Sequence, residues 1–222
     1  MFIETIDALK HLLWPTRCAS CDVLLSTANA ILCDECQASI QAADAFAPPE
    51  SIDAACALYR YEGAVQTLIS RWKFHEDYGA QHALLDDLPD AVRRLTIDIP
   101  EGSYLLPIPP HPRRLRERGF DPVWTFASHL QRAFKSAQIQ TFFCDDALVR
   151  TRHTPHQAAL DHEARLHNLD GAFEVSPKFH APHVVLLDDV TTTGSTACSC
   201  ARTLKAAGIP WVGFIALAQT VK

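Results

Sequence analysis

The sequence predicts an α/β fold, a mostly parallel sheet flanked by helices, with a small cysteine-rich module ahead of it. Three observations carry this. Continuous apolar runs such as Val184–Leu187 and Trp211–Leu217 read as strands buried on both faces. They alternate with stretches of helical periodicity, as β-α-β units do around a parallel sheet. Upstream of the first strand, Cys18, Cys21, Cys33 and Cys36 form two C-x2-C pairs.

The elements follow in order. Phe2, Ile3, Ile6, Leu9, Leu12 and Leu13 make a helical stripe over residues 2–14, ended by Pro15. The cysteine module comes next, and the Ala-Pro-Pro-Glu-Ser segment at 47–51 reads as a linker. This divides the chain into an N-terminal helix and module at 1–46 and a larger domain at 52–222. In the larger domain, Ala54–Tyr61 reads as a strand and Ala64–Phe74 as a helix, with Val65, Leu68, Ile69 and Trp72 on its apolar face. Tyr104–Ile108 is a short strand entering a proline-rich turn, Pro122–Ala137 a helix, and Ala172–Val175 a strand. The strand His183–Leu187, a helix starting near Ala197 and the strand Trp211–Leu217 complete the pattern, with Gly208 stopping the helix.

Composition sets the limits. The 222 residues are 48% hydrophobic and 21% charged, an ordinary globular balance that excludes disordered, collagenous and coiled-coil readings. The net charge of -6 argues against a protein that coats nucleic acid wholesale, while leaving room for a local basic patch. No apolar run approaches the ~18 residues of a spanning helix. The first residues, with Glu4, Asp7 and Lys10, lack the basic-then-apolar order of a signal peptide. A soluble cytoplasmic protein with no membrane insertion is expected.

In such a compartment the eight cysteines do not imply disulfides. Each C-x2-C pair can chelate from a tight knuckle, and two knuckles eleven residues apart can close a tetrahedral thiolate site around Zn²⁺. Four ligands leave no open position, so such a site is structural. Redox dithiols or an iron–sulfur cluster are the rival readings of the same pattern. Cys56, Cys144, Cys198 and Cys200 show no second chelating pattern and read as small core residues.

The most informative stretch runs from His183 to Gly208. An apolar strand delivers Asp188 and Asp189, and the small residues Thr191, Thr192, Thr193, Gly194, Ser195 and Thr196 follow before the helix. Ligands in β-loop-α units sit at the strand's carboxyl end. Backbone N–H groups, hydroxyls and a helix N-terminus suit a phosphate there. Acids beside a phosphate need hydroxyl groups or Mg²⁺ to face, which a sugar phosphate supplies. Neither a G-x4-G-K-[ST] loop nor a G-x-G-x-x-G turn is present.

Val184–Thr196 resembles the phosphoribosyl-pyrophosphate (PRPP) signature of type I phosphoribosyltransferases. The resemblance implies that Asp188 and Asp189 hold the ribose hydroxyls and that Thr192 to Thr196 hold the 5′-phosphate. A narrower resemblance, to the ComF/GntX family of competence-associated proteins, covers nearly the whole chain. It rests on Leu-Leu-Trp-Pro before Cys18, the two knuckles, Leu68-Ile69 with Lys73-Phe74, and Pro107-Ile108-Pro109. It rests also on Arg114-Leu-Arg-Glu-Arg118-Gly119-Phe120 and on Thr154-Pro-His-Gln157 with Arg165 and Asn168. The chain departs from the family's R-G-F-N at Asp121, which when ionised cannot donate a hydrogen bond.

Between His111 and Phe120, Arg113, Arg114, Arg116 and Arg118 stand against one acid, Glu117. Guanidinium groups bind phosphate in bidentate fashion, and Arg114 and Arg118 share a face if the segment is helical. The block suits the pyrophosphate of PRPP, or single-stranded DNA with Phe120 and Trp124 as stacking groups. A merely solvated helix face is the bland reading. Residues 150–168 carry Arg150, Arg152 and Arg165, which could neutralise a leaving pyrophosphate under a closing hood, or could belong to a charged surface helix. His153, His156, His162 and His167 lack metal-ligand order. Lys73-Phe74 has no role derivable from first principles, and no catalytic acid or base is assigned.

The expected function is a PRPP- and Mg²⁺-binding phosphoribosyltransferase-like protein, acting on an unidentified acceptor in DNA uptake or a nucleotide-linked role. The alternative is a non-catalytic PRPP sensor associated with single-stranded DNA and proteins of the uptake machinery.

Overall fold

The computed structural model describes residues 15–27, 29–151 and 171–220. The helix expected over 2–14 and the segment 152–170 lie outside them.

After the cysteine knuckles and a short helix α1 (Asp34–Ala38), the chain enters strand β1 (Ala54–Arg60). Helices α2 (Gly63–His75), α3 (Tyr78–Leu85) and α4 (Leu88–Arg93) lead to β2 (Ser103–Pro107). Helices α5 (Pro112–Arg118) and α6 (Pro122–Ser136) precede the three-residue strands β3 (Thr141–Phe143) and β4 (Leu148–Arg150). The strands β5 (Phe173–Val175) and β6 (His183–Thr191), helix α7 (Ser195–Ala206) and strand β7 (Trp211–Gln219) follow.

The main sheet has the order β1-β7-β6-β2-β3, and every pairing in it is parallel. The mostly parallel sheet flanked by helices is therefore present. β4 and β5 form a separate antiparallel pair. Both sheet faces are covered. On one, Val185, Leu187, Ile215 and Leu217 pack with Leu68, Ile69 and Trp72 of α2 and Phe126, Leu130 and Phe134 of α6. On the other, Val184, Leu186, Val212 and Phe214 pack with Cys200, Ala201 and Leu204 of α7. Residues of β6 alternate between these two cores, as the period of a strand requires.

This order sets the position of the site. From β2 the chain proceeds outward through α6 to β3. From β6 it proceeds the opposite way, through α7 to β7. β2 and β6 are neighbours, and β2 ends with Pro107 beside Leu187 and the Ile108 N–H 2.9 Å from the Leu187 carbonyl, while β6 runs on to Thr191. A crevice at such a reversal is where open parallel sheets bind ligands.

Two details differ from expectation. β6 continues past the apolar run to Thr191, because Asp188 pairs with Ala216 and Thr191 with Gln219 of β7. The stretch at 47–51 is irregular but packed. Its Pro49 carbonyl accepts the Ile52 N–H at 3.1 Å, and Pro49 rests on Gly194 so closely that a Cβ there would lie 2.8 Å from the proline Cγ.

Candidate functional site

The two carboxylates diverge because they are neighbours on a strand. Asp189 turns toward α2, where Lys73 Nζ lies 2.7 Å from its Oδ1; each side chain is only 15% exposed. Asp188 turns toward α7 and is within electrostatic reach of Cys200 and Arg150. Burial, then the Asp189 charge, push the Asp188 carboxyl up to about 7, with Lys73 pulling the other way.

The loop begins at Thr191, which is buried and receives the Thr220 N–H at 3.0 Å. Thr192 is exposed and Thr193 half-buried. Gly194 takes the left-handed conformation, φ +71°, that starts α7. Ser195 and Thr196, expected in the loop, form the first turn of α7, where the N–H groups of a helix have no intrahelical partner. A cleft of about 430 Å³ is lined by this loop, by residues of the Ala43–Pro49 segment and by the ends of β1 and β7. Its size and the dipole of α7 suit an anion or small polar ligand.

The basic block is helical, as α5, and its arginines divide. Arg113 is paired with Glu117 at 2.6 Å. Arg114 and Arg118 are one helical turn apart and close enough for their charges to act on each other. Arg118 is half-buried, with its guanidinium 5.5 Å from the Phe74 ring centroid and in reach of Asp189. Arg150 approaches Arg114 and Asp188 from β4 and lies over Phe173 at 5.4 Å. Arg116 is exposed two positions along α5 from Arg114, on a different face. Arg152 and Arg165 lie outside the described residues.

Asp121 is the N-cap of α6, its Oδ1 accepting from the N–H groups of Val123 and Trp124 at 2.9 and 3.2 Å. A cap needs only an acceptor, which Asp supplies as well as Asn. Phe120 packs against Trp72 at 6.3 Å. Trp124 is half-exposed, and its indole N–H donates to Asp145 at 2.7 Å. The ring left open is Phe74, 70% exposed. Lys73 and Phe74, which the family resemblance singled out without a role, are the site residues whose placement sequence reasoning missed. Beyond that resemblance, the local physical signal was a cation in the last turn of a helix.

The four cysteines converge, with all Sγ atoms within 4.8 Å of one another and Cys21 and Cys33 3.7 Å apart. Tetrahedral zinc with bonds of about 2.3 Å sets its sulfurs about 3.8 Å apart, so the cluster fits such an ion. Although burial raises it, the Cys18 thiol is pulled down to about 6 by N–H groups of Cys21, Cys33 and Ser20, toward the thiolate a metal needs, whereas burial pushes the Cys36 thiol up to about 12. Cys56, Cys198 and Cys200 are buried in the domain. Among the described residues, no helix is long and apolar enough to cross a membrane.

No family model matches the chain. Competence protein F of Haemophilus influenzae is 25% identical over 228 residues, covering 91% of this chain and 96% of that protein. DNA utilization protein YhgH of Escherichia coli O157:H7 is 27% identical over 213 residues, covering 93% and 85%. Among solved structures, a hypoxanthine phosphoribosyltransferase from Staphylococcus aureus aligns with 63% of this chain at 12% identity and TM-score 0.40. One from Trypanosoma cruzi aligns with 68% at 10% identity and TM-score 0.35. The match spans 64% of each of those two chains. By sequence, over most of its length, the chain is a homologue of proteins named for competence and DNA utilization.

Proposed function

We propose that this chain binds PRPP with Mg²⁺ at the β6–α7 unit and serves the uptake or use of DNA, as the names of its relatives suggest. One observation carries the reading. Two acids at the reversal of strand order run directly into a Thr/Gly loop on the N-terminus of α7, with Lys73 and Arg118 in reach of Asp189, Arg150 in reach of Asp188, and Arg114 in reach of both arginines. Asp188 and Asp189 accept hydrogen bonds from the ribose hydroxyls. Thr192, Thr193, Gly194, Ser195 and Thr196 take the 5′-phosphate through hydroxyls and backbone N–H groups, with Thr191 completing the PRPP-binding stretch at the end of β6. Arg114 and Arg118 face the diphosphate, with Arg152 and Arg165 joining them, while Arg116 serves the surface. Mg²⁺ neutralises charge on the diphosphate.

Turnover would transfer the phosphoribosyl group from C1 to a nitrogen acceptor, with diphosphate as leaving group. The protein's share is positioning and electrostatic stabilisation. Cys18, Cys21, Cys33 and Cys36 hold a structural Zn²⁺ in a module over 1–46, beside a phosphoribosyltransferase-like domain over 52–222, in a cytoplasmic protein. Calorimetric titration of Mg²⁺-PRPP into zinc-loaded protein tests the reading. Saturable binding, lost in Asp188→Ala/Asp189→Ala, supports it; no binding to folded wild-type protein overturns it.

A second reading is favoured by the exposed surface of α5. Arg114 and Arg116 have no ion-pair partner among the described residues, and the open ring of Phe74 lies beside Arg118. This suits single-stranded DNA held by a PRPP-responsive factor that docks uptake proteins. Oligonucleotide affinity that falls steeply with salt, and falls further in Arg114→Ala/Arg116→Ala, would favour it.

A further inference from the structure

We propose that Lys73 and Phe74, in the last turn of α2, act as a positioning pair for the phosphate site, Lys73 setting Asp189 and Phe74 setting Arg118. The inference rests on the PRPP reading and gives a role to two residues that the sequence pattern left without one. Adjacent helix residues point about 100° apart, so one helix end can reach two different elements. Here it reaches β6 through the 2.7 Å ion pair and α5 through the ring beneath Arg118.

The helix end is rigid enough for the task. Leu68, Ile69 and Trp72 are fully buried just before it, and Glu76, in the left-handed conformation, stops the helix just after. The Lys73–Asp189 pair is shielded from water, so its attraction is stronger than that of a surface pair. An ammonium on a flexible stem can hold a carboxylate and then turn one of its three donors to an incoming anion. Phe74, by contrast, lies 70% exposed with the guanidinium of Arg118 over its ring. Stacking fixes that guanidinium without using any of its N–H donors, which leaves them free for a diphosphate.

The charged and titratable groups in reach of Asp189 come from several elements: Asp188 on β6, Lys73 on α2, the neutral phenol of Tyr61 after β1, Arg118 on α5 and Asp121 before α6. Lys73 supplies the ammonium set against three carboxylates. Removing it displaces the pH dependence of ligand binding as well as its strength.

The test is calorimetry of Mg²⁺-PRPP binding to zinc-loaded full-length protein from about pH 6 to about pH 8.5, for wild type, Lys73→Met, Lys73→Arg, Phe74→Leu and Phe74→Trp. Lys73→Met should weaken binding roughly tenfold and move its pH midpoint upward, with Lys73→Arg recovering most of both. Phe74→Leu should weaken it several-fold, and Phe74→Trp should restore it. Melting temperatures near wild type would show that the variants fold. Wild-type affinity and pH midpoint in Lys73→Met, or equal loss in Lys73→Met and Lys73→Arg with the midpoint unmoved, would overturn the inference alone. Absence of binding by the wild type would overturn the PRPP reading and this inference with it.

Discussion

Arg71 joins the cysteine module to the α/β core by gripping Asp22, with Nη1 2.9 Å from Oδ2 and Nη2 3.1 Å from Oδ1, while its Nε bonds Asp77 at 3.0 Å. Asp22 directly follows Cys21, and its N–H bonds the Cys18 carbonyl at 3.0 Å. The guanidinium therefore holds the outer side of the first knuckle. Arg71→Met should leave the domain folded and release zinc to a colorimetric chelator several-fold faster than wild type. Unchanged release would mean that the knuckle is held by its own hydrogen bonds.

The metal itself is open to direct measurement. Elemental analysis should find one zinc per chain, with no visible iron–sulfur absorbance, and Cys21→Ser should lose it. Chelation should lower the melting temperature, because Ile31, Leu32, Cys36 and Ile40 of the module pack against the main core. Substituting Cys144, which lies outside the cluster, should leave the metal content unchanged.

Gly194 is doubly constrained, by its φ of +71° and by Pro49. Gly194→Ala should destabilise the protein by about 1–3 kcal/mol in denaturant titration. Pro49→Ala should be milder alone, and the pair together less damaging than the sum, since the clash needs both side chains. Additive losses would show that backbone strain alone is responsible.

The Asp188 carboxyl is pushed up to about 7, so the folded state holds its proton more tightly than the unfolded chain does. Its contribution to stability is full below the ordinary carboxyl range and is lost as pH rises through about 7. Asp188→Asn should remove that slope and be more stable than wild type above neutrality. Ligand binding should move the opposite way in wild type, strengthening as the acid ionises to accept ribose hydroxyls. Urea midpoints across pH, beside PRPP affinities, would read both.

Much of this was legible in the sequence. The β6–α7 unit announced itself because strand, acids, small-residue loop and helix are contiguous, and α2 and α6 because their apolar positions repeat at helical spacing. The helices α3 and α4 did not, being one to two turns long, and α3 begins on a local cap, Asp77 to the Ala80 N–H at 3.1 Å. The three-residue strands β3 and β4 expose Phe142 and Val149 and lack a readable pattern. The sheet order was also hidden, since β7 inserts between β1 and β6. The same insertion hides the Lys73–Asp189 pair, whose members meet only when distant segments are packed.

That insertion also governs when the molecule can be completed. Asp53 Oδ2 accepts the Val212 N–H at 2.7 Å across 159 residues of chain, where β1 begins to pair with β7. On a ribosome, β1 emerges early and must wait, with its edge unpaired, until nearly all of the domain has followed. Loop closure of that length precedes any gain from the pairing, so the slow step of folding should be the arrival of β7. A nascent chain stalled before Trp211 would be a client for chaperones.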